Sequence, residues 1–210
     1  VGVRAIRLPM REPHQTASGV ITESPLVLTD VVCDDGTIGH SLVFAYTPMA
    51  LQPTAELVRN LEPLVKGDPL APVDTEEKLA RRFRLLGPQG LVGMALAAID
   101  MALWDAQARL LGVSLAQLLG GTAKPVPAYG AVGYDGEAKS ARVAEGWARR
   151  GFTGVKAKIG YPSIAEDVAV ILDLAGEVFS EAGRAYLMRR LAEEGIGPIN
   201  YVAWRHEYIF

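Results

Sequence analysis

The stretch Leu91–Leu111, LVGMALAAIDMALWDAQARLL, constrains the fold more than any other part of this 210-residue chain. It is rich in Ala and Leu, lacks Pro, and is followed by Gly112, so it reads as one long helix with a defined stop. Apolar residues occupy much of its circumference, which predicts a central, buried helix. Such a helix needs elements to cover it, and the residues before it supply them. Val1 to Leu8 alternates in polarity, Leu26 to Cys33 reads as a second strand, and Thr37 to Tyr46 reads as the return strand of a hairpin turned at Asp34-Asp35-Gly36. The intervening segment, Glu12 to Ser24, is polar and contains Gly, which predicts a long loop of the kind that is either a functional lid or simply disordered. An apolar stripe at Leu57, Val58, Leu61, Leu64 and Val65 predicts a helix distorted by Pro63. Asp74 and Glu77 fit a capping box ahead of Leu79, Phe83 and Leu86, and Ser114 caps a short helix that stops at Gly120-Gly121.

Beyond that stop the pattern changes to alternating units. Val126 to Val132 reads as a strand, Ala138 to Arg150 as an amphipathic helix ended by Gly151, and Gly154 to Gly160 as another strand. A helix capped by Ser163 and Glu166 is expected to run to about Phe179, a third from about Glu181 to Glu194, and a weak strand from Ile196 to Trp204. Strand–helix alternation argues for parallel βα units. The expected architecture is an α+β domain over residues 1–122, with a three-stranded antiparallel sheet plus helices, followed by an incomplete (β/α) barrel over 123–210 with about three βα steps.

Half the residues are hydrophobic, enough for a sizeable core. A formal charge of −3 and the lack of a basic block argue against nucleic acid or a membrane surface as partner. No uninterrupted apolar run reaches the roughly 18 residues of a spanning helix, and no signal-peptide pattern opens the chain, although it also lacks an initial Met. Cys33 is the single cysteine, which excludes an intrachain disulfide and fits a reducing cytoplasm.

The segment Gly154 to Pro162, GVKAKIGYP, places Lys156 and Lys158 on one face of a strand and Val155, Ala157 and Ile159 on the other. On an exposed edge, such lysines would simply be solvated and block aggregation. In a barrel, both faces of a strand are covered, and charge on the inner face is expensive without a role. Two adjacent ammonium groups disfavour each other's charge, and desolvation acts in the same direction. One lysine can then serve as a base while the other holds an anion, which suits removal of a proton next to a carboxylate.

Together with TASGVITESPLVLTDV, GHSLVFAYTP and AAIDMALWDAQARLLGVSLAQLLGG, this segment resembles the enolase superfamily, and within it the mandelate racemase/muconate lactonizing enzyme family, from about residue 1 to 171. The resemblance implies a capping domain over a (β/α) barrel. It also implies a divalent metal, usually Mg2+, and a small carboxylate substrate whose α-proton is abstracted, leading to racemisation or to dehydration of acid sugars. Lys158 falls on the family's general base for one face of the substrate, and Lys156 on the lysine that contacts its carboxylate. Tyr46 falls on a pocket tyrosine. The loop Glu12 to Ser24 matches the substrate-selecting flap, with His14, Ser18 and Ile21 at pocket-lining positions. Ser18 and Ala131 differ from mandelate racemase at these positions, so an aromatic substrate is unsupported. On residue type alone, Tyr46 reads as an ordinary strand aromatic, His14 as a solvated loop histidine, and Asp100 and Asp105 as groups satisfying backbone or arginine.

The resemblance also implies features that this sequence lacks. The family's Asp-x-Asn strand end, its Glu-Glu-Pro, the further Glu and the His–Asp base pair do not occur as such after Lys158. Loosely overlaid, Ile199-Asn200-Tyr201-Val202 falls where Ile-Glu-Glu-Pro belongs, which puts Asn200 at a metal-ligand position and removes a charge that a hard cation wants. The expectation is a family member truncated in the barrel, cytoplasmic and homo-oligomeric. Its turnover should be weak or absent. Alternatively, it is a non-catalytic module that pairs through an open βα edge.

Overall fold

Three N-terminal strands, β1 (Gly2–Thr16), β2 (Gly19–Val32) and β3 (Ile38–Phe44), form an antiparallel sheet in that spatial order. The computed structural model describes residues 1–16, 19–163, 166–167 and 169–170. The β2–β3 hairpin runs in register from Leu26 opposite Phe44 to Val32 opposite Ile38. Its turn is held by Asp35, whose carboxylate accepts from the Thr37 amide at 2.9 Å, while Gly36 takes the positive φ of 87° that the tight reversal requires. The expected loop from Glu12 to Ser24 is instead strand on both sides of the β1–β2 tip. None of its described residues is fully buried and most are polar, so no apolar alternation announces the pairing.

Helix α1 (Pro48–Val65) begins earlier than the apolar stripe alone predicts. Thr47 caps it, Pro48 occupies the first turn where no amide bond is lost, and the helix continues through Pro53 and Pro63. Its buried face, Leu51, Thr54, Ala55, Val58 and Leu61, outweighs the two missing donors. Helix α2 (Pro72–Arg82) starts at Ala71 without a side-chain cap, so the Asp74–Glu77 capping box does not form; Pro72 sets the start, and Asp74 lies within the first turn.

Helix α3 spans Leu91–Leu111 and ends at Gly112 in the left-handed conformation, as the sequence predicts. It packs on β3, α1 and α2. Ala95, Ala98, Ala102 and Ala106, spaced three and four apart, are fully buried along one stripe. A Cβ on Gly39 of β3 would lie 1.9 Å from the Ala102 carbonyl oxygen, so backbone meets backbone there. Only part of the circumference is buried: Met101, Leu110 and Leu111 are exposed. By length and composition α3 is apolar enough to cross a membrane, yet its alanine stripe is engaged in the core with Val27, Val58, Leu61 and Ile99. Helix α4 (Leu115–Leu118) carries the expected Ser114 cap, completed as a capping box by Gln117.

A parallel unit follows: β4 (Gly130–Ala131), α5 (Glu137–Arg149) and β5 (Val155–Lys156). Both strands are shorter than the expected Val126–Val132 and Gly154–Gly160. Trp147 of α5 anchors the crossover by donating from Nε1 to the Ala131 carbonyl at 2.9 Å, with its ring against Gly130, where a Cβ would lie 2.1 Å from the indole. The expected helices and strand beyond residue 170 lie outside the described residues. By compactness, Val1–Glu12 and Thr22–Pro125 form one unit, and Pro13–Ile21 groups with the residues from Val126 onward in another.

Candidate active site

In the second unit, strand pairing fixes the start of the lysine segment. The Val132 amide donates to the Lys156 carbonyl at 2.9 Å, and Gly130 to the Gly154 carbonyl at 3.0 Å. After Lys156 the chain leaves the sheet because side chains take over its backbone. The buried Asp167 accepts from the amides of Gly160 and Tyr161 through one carboxylate oxygen, at 2.7 and 2.9 Å. Tyr134 donates its hydroxyl to the Gly160 carbonyl at 2.7 Å, and the Tyr161 hydroxyl accepts from the Gly136 amide at 2.8 Å. The two tyrosine rings stack with centroids 4.1 Å apart. Burial lifts the Tyr134 phenol above its ordinary range, and the nearby Tyr161, Asp167 and Glu166 add to that. Three side chains, through four hydrogen bonds, therefore clamp the chain two residues beyond Lys158.

Lys158 is half-buried and Lys156 is exposed, so the two do not share one enclosed environment. The Lys158 Nζ lies 3.1 Å from the Nε2 of His14, a half-buried residue on the tip of the β1–β2 ribbon. Desolvation first, and then the charge of Lys158, hold the imidazole below its usual range; Lys156 acts in the same direction and Asp135 opposes them. With Lys158 as an ammonium, which can only donate, the contact would have Nε2 accepting and the ring proton on Nδ1. The tip is tied into the same unit by the Tyr134 amide, which donates to the Gln15 carbonyl at 3.1 Å. Ile21 is half-buried on the return strand, while Ser18 and Asn200 lie outside the described residues.

Tyr46 belongs to the first unit. Its backbone has φ of +60°, the one non-glycine residue in the left-handed region among those described, and the Thr47 amide closes back on the Ala45 carbonyl across it at 2.6 Å. This tight turn presents the ring to solvent, three-quarters exposed and tilted against Phe44. Asp105 does what residue type suggests. It accepts from the His40 amide and from Arg109, and these bonds hold its carboxyl below the usual range despite the desolvation that acts upward. Asp100 differs: desolvation and the charge of Glu76 raise it, against a bond from Trp104. Glu76 and Asp100 line a cavity of about 290 Å3 with Leu79 and Ile99, remote in sequence from every predicted site residue.

A hard divalent cation needs several oxygen ligands brought together. Among the described residues no group of three His, Cys, Asp or Glu is placed to hold one. Among the described carboxylates of this unit, Asp135 pairs with Lys139, Glu145 with Arg149, Glu166 with the Ser163 cap, and Asp167 with backbone amides. Sequence reasoning missed Asp167 and the two tyrosines, whose partners are backbone groups that leave no residue-type signature.

The sequence profile of the mandelate racemase/muconate lactonizing enzyme N-terminal domain matches residues 1–120. The crystal structure of an enolase from Bradyrhizobium complexed with magnesium and mandelic acid is similar at a TM-score of 0.75 and 42% identity, over 85% of this chain and 50% of that one. D-galactarolactone cycloisomerase of Agrobacterium fabrum is 33% identical over 76% of this chain and 43% of its own length. Arabinonate dehydratase of Saccharolobus solfataricus is 29% identical over 83% and 50%. The chain thus spans about half the length of the relatives it matches. The family match spans the antiparallel sheet and the alanine-seamed helix, and the chain belongs to the mandelate racemase/muconate lactonizing enzyme family of the enolase superfamily.

Proposed function

We propose that Lys158 is the proton-abstracting group of a site for a small carboxylate, with Lys156 as the cationic contact to the carboxylate. By family resemblance the chain divides into a capping domain over residues 1–122 and a partial barrel over 123–210, and Tyr46, His14, Ser18 and Ile21 are the further substrate-binding candidates. The observation that carries the reading is the placement of Lys158: half-buried, hydrogen-bonded at Nζ, and held by a clamp two residues downstream. A base must be fixed in position before its pKa matters. The relatives include a protein bound to magnesium and mandelic acid, which supports Mg2+ and a 2-hydroxy carboxylate as the first pair to try. Because Asp135, Glu145, Glu166 and Asp167 are each engaged with other groups, turnover is weak when this chain acts alone.

A second reading is favoured by the absence of a cation site among the described residues and by the exposure of Lys156: a non-catalytic module that pairs with another subunit through its βα edge. One experiment separates the two. The chain is incubated with α-deuterated mandelate and then with other 2-hydroxy acids in the presence of Mg2+, and deuterium loss is followed by NMR. Slow loss that falls about 100-fold or more in Lys158→Ala supports proton abstraction. No loss, together with a melting temperature indifferent to Mg2+, supports the module.

A further inference from the structure

We propose that His14, carried on the tip of the β1–β2 ribbon, is a positioning residue that orients Lys158 through a hydrogen bond accepted at Nε2. The proposal deepens the reading of Lys158 as the proton-abstracting group and rests on it for its catalytic consequence, though not for the contact itself. The two residues are 144 positions apart, and their side chains meet at 3.1 Å in a half-buried setting. The backbone on each side of the contact is fixed separately. On the tip, the Gln15 carbonyl accepts from the Tyr134 amide; on the lysine segment, Asp167 and Tyr134 hold Gly160. Tyr134 thus touches both segments, through its amide on one and its hydroxyl on the other.

The charges around the ring favour the accepting state. Lys156 on β5 and Lys158 on the segment just after it both oppose a second ring proton on His14. Asp135 faces it from the turn before α5 and would support an imidazolium, but its carboxylate is paired with Lys139 at 2.7 Å. A neutral ring with its proton on Nδ1 leaves Nε2 free to hold the lysine nitrogen in one direction. A lysine side chain has four rotatable bonds and is otherwise free to scatter, so the bond selects one rotamer family. Protonation of His14 replaces the acceptor with a donor and sets two cations against each other. The contact is then lost, and with it the orientation of Nζ. Acid therefore acts on Lys158 through the flap as well as directly.

The test uses the full chain with 15N- and 13C-labelled histidine, the ring signals of His14 being assigned by their loss in His14→Gln. At neutral pH the ring is expected in the Nδ1–H form, and its titration midpoint is expected to move upward in Lys158→Met and less so in Lys156→Met. A ring in the Nε2–H form, or a midpoint that Lys158→Met leaves in place, overturns the proposal. In α-deuterium loss, His14→Leu is expected to lose about tenfold. His14→Gln, whose amide oxygen still accepts, is expected to recover most of the rate and to abolish the acid limb that the imidazole imposes on it. Equal loss in both variants also overturns the proposal. If the unmodified chain shows no deuterium loss while the midpoint moves as expected, the His14 contact stands and the proton-abstraction reading of Lys158 fails.

Discussion

In the first unit, Val27, Val58, Leu61 and Ile99 are fully buried against one another, and the sheet lies on α3 through glycine and alanine. In the second, the described residues around the lysine segment are fixed by bonds from Asp167, Tyr134, Tyr161 and Trp147 to backbone groups. Apolar contact is non-directional and spreads its effect over many neighbours. A side chain bonded to backbone acts at one point and in one direction. The first arrangement suits a scaffold; the second suits holding one nitrogen in place. A substitution in the first unit should therefore be felt as global stability, and one in the second as local disorder at the lysines.

The sharpest way to break this contrast is at Gly39. Val at this position would drive its Cβ into the Ala102 carbonyl at 1.9 Å, with no side chain able to yield. Gly39→Val is expected to lose more than about 4 kcal/mol in denaturant unfolding; a loss below about 1 kcal/mol would mean that β3 and α3 are not in backbone contact. Next comes Asp167→Ala, which strands two amides and is expected to cost about 2 kcal/mol. Hydrogen exchange should accelerate at Gly160 and Tyr161 while the amides of α3 keep their protection; uniform acceleration would abolish the distinction between the units.

The smallest effect is expected at Asp100. Its carboxyl is raised by desolvation and by Glu76, so the folded chain binds that proton more tightly than the unfolded chain does. Stability from this group is full below the usual carboxylate range and is lost as pH rises through the raised value. Asp100→Asn should therefore stabilise at neutral pH, by less than about 1 kcal/mol because the group is only partly buried and solvent still screens it, and the gain should vanish in acid. Melting curves at the two pH values give the sign.

The elements legible in the sequence are those whose signal is local. Leu91–Leu111 agrees with α3 at both ends because composition and Gly112 both mark them. Asp34-Asp35-Gly36 marks the hairpin, and Ser114 with Gln117 marks α4. The ribbon around the β1–β2 tip is illegible because a strand polar on both faces has no period to detect. The start of α2 is misread because Pro72 at the first turn competes with a plausible cap two residues later. Around the candidate site, Lys156 and Lys158 stand out as residue types, but Asp167 binds amides six and seven residues away, and His14 meets a partner from the far end of the chain. Such pairings are decided by folding rather than by spacing.

The seam between β3 and α3 has one more consequence. Where a glycine faces a row of alanines, there is almost no side-chain volume left to remove, so cavity-forming replacements are unavailable and every larger residue overpacks. Tolerance along this line runs in a single direction, toward the residues already there. Efforts to make the domain more robust have their room on the outward side of α3, at Met101, Leu110 and Leu111, where bulk and polarity can still be traded freely.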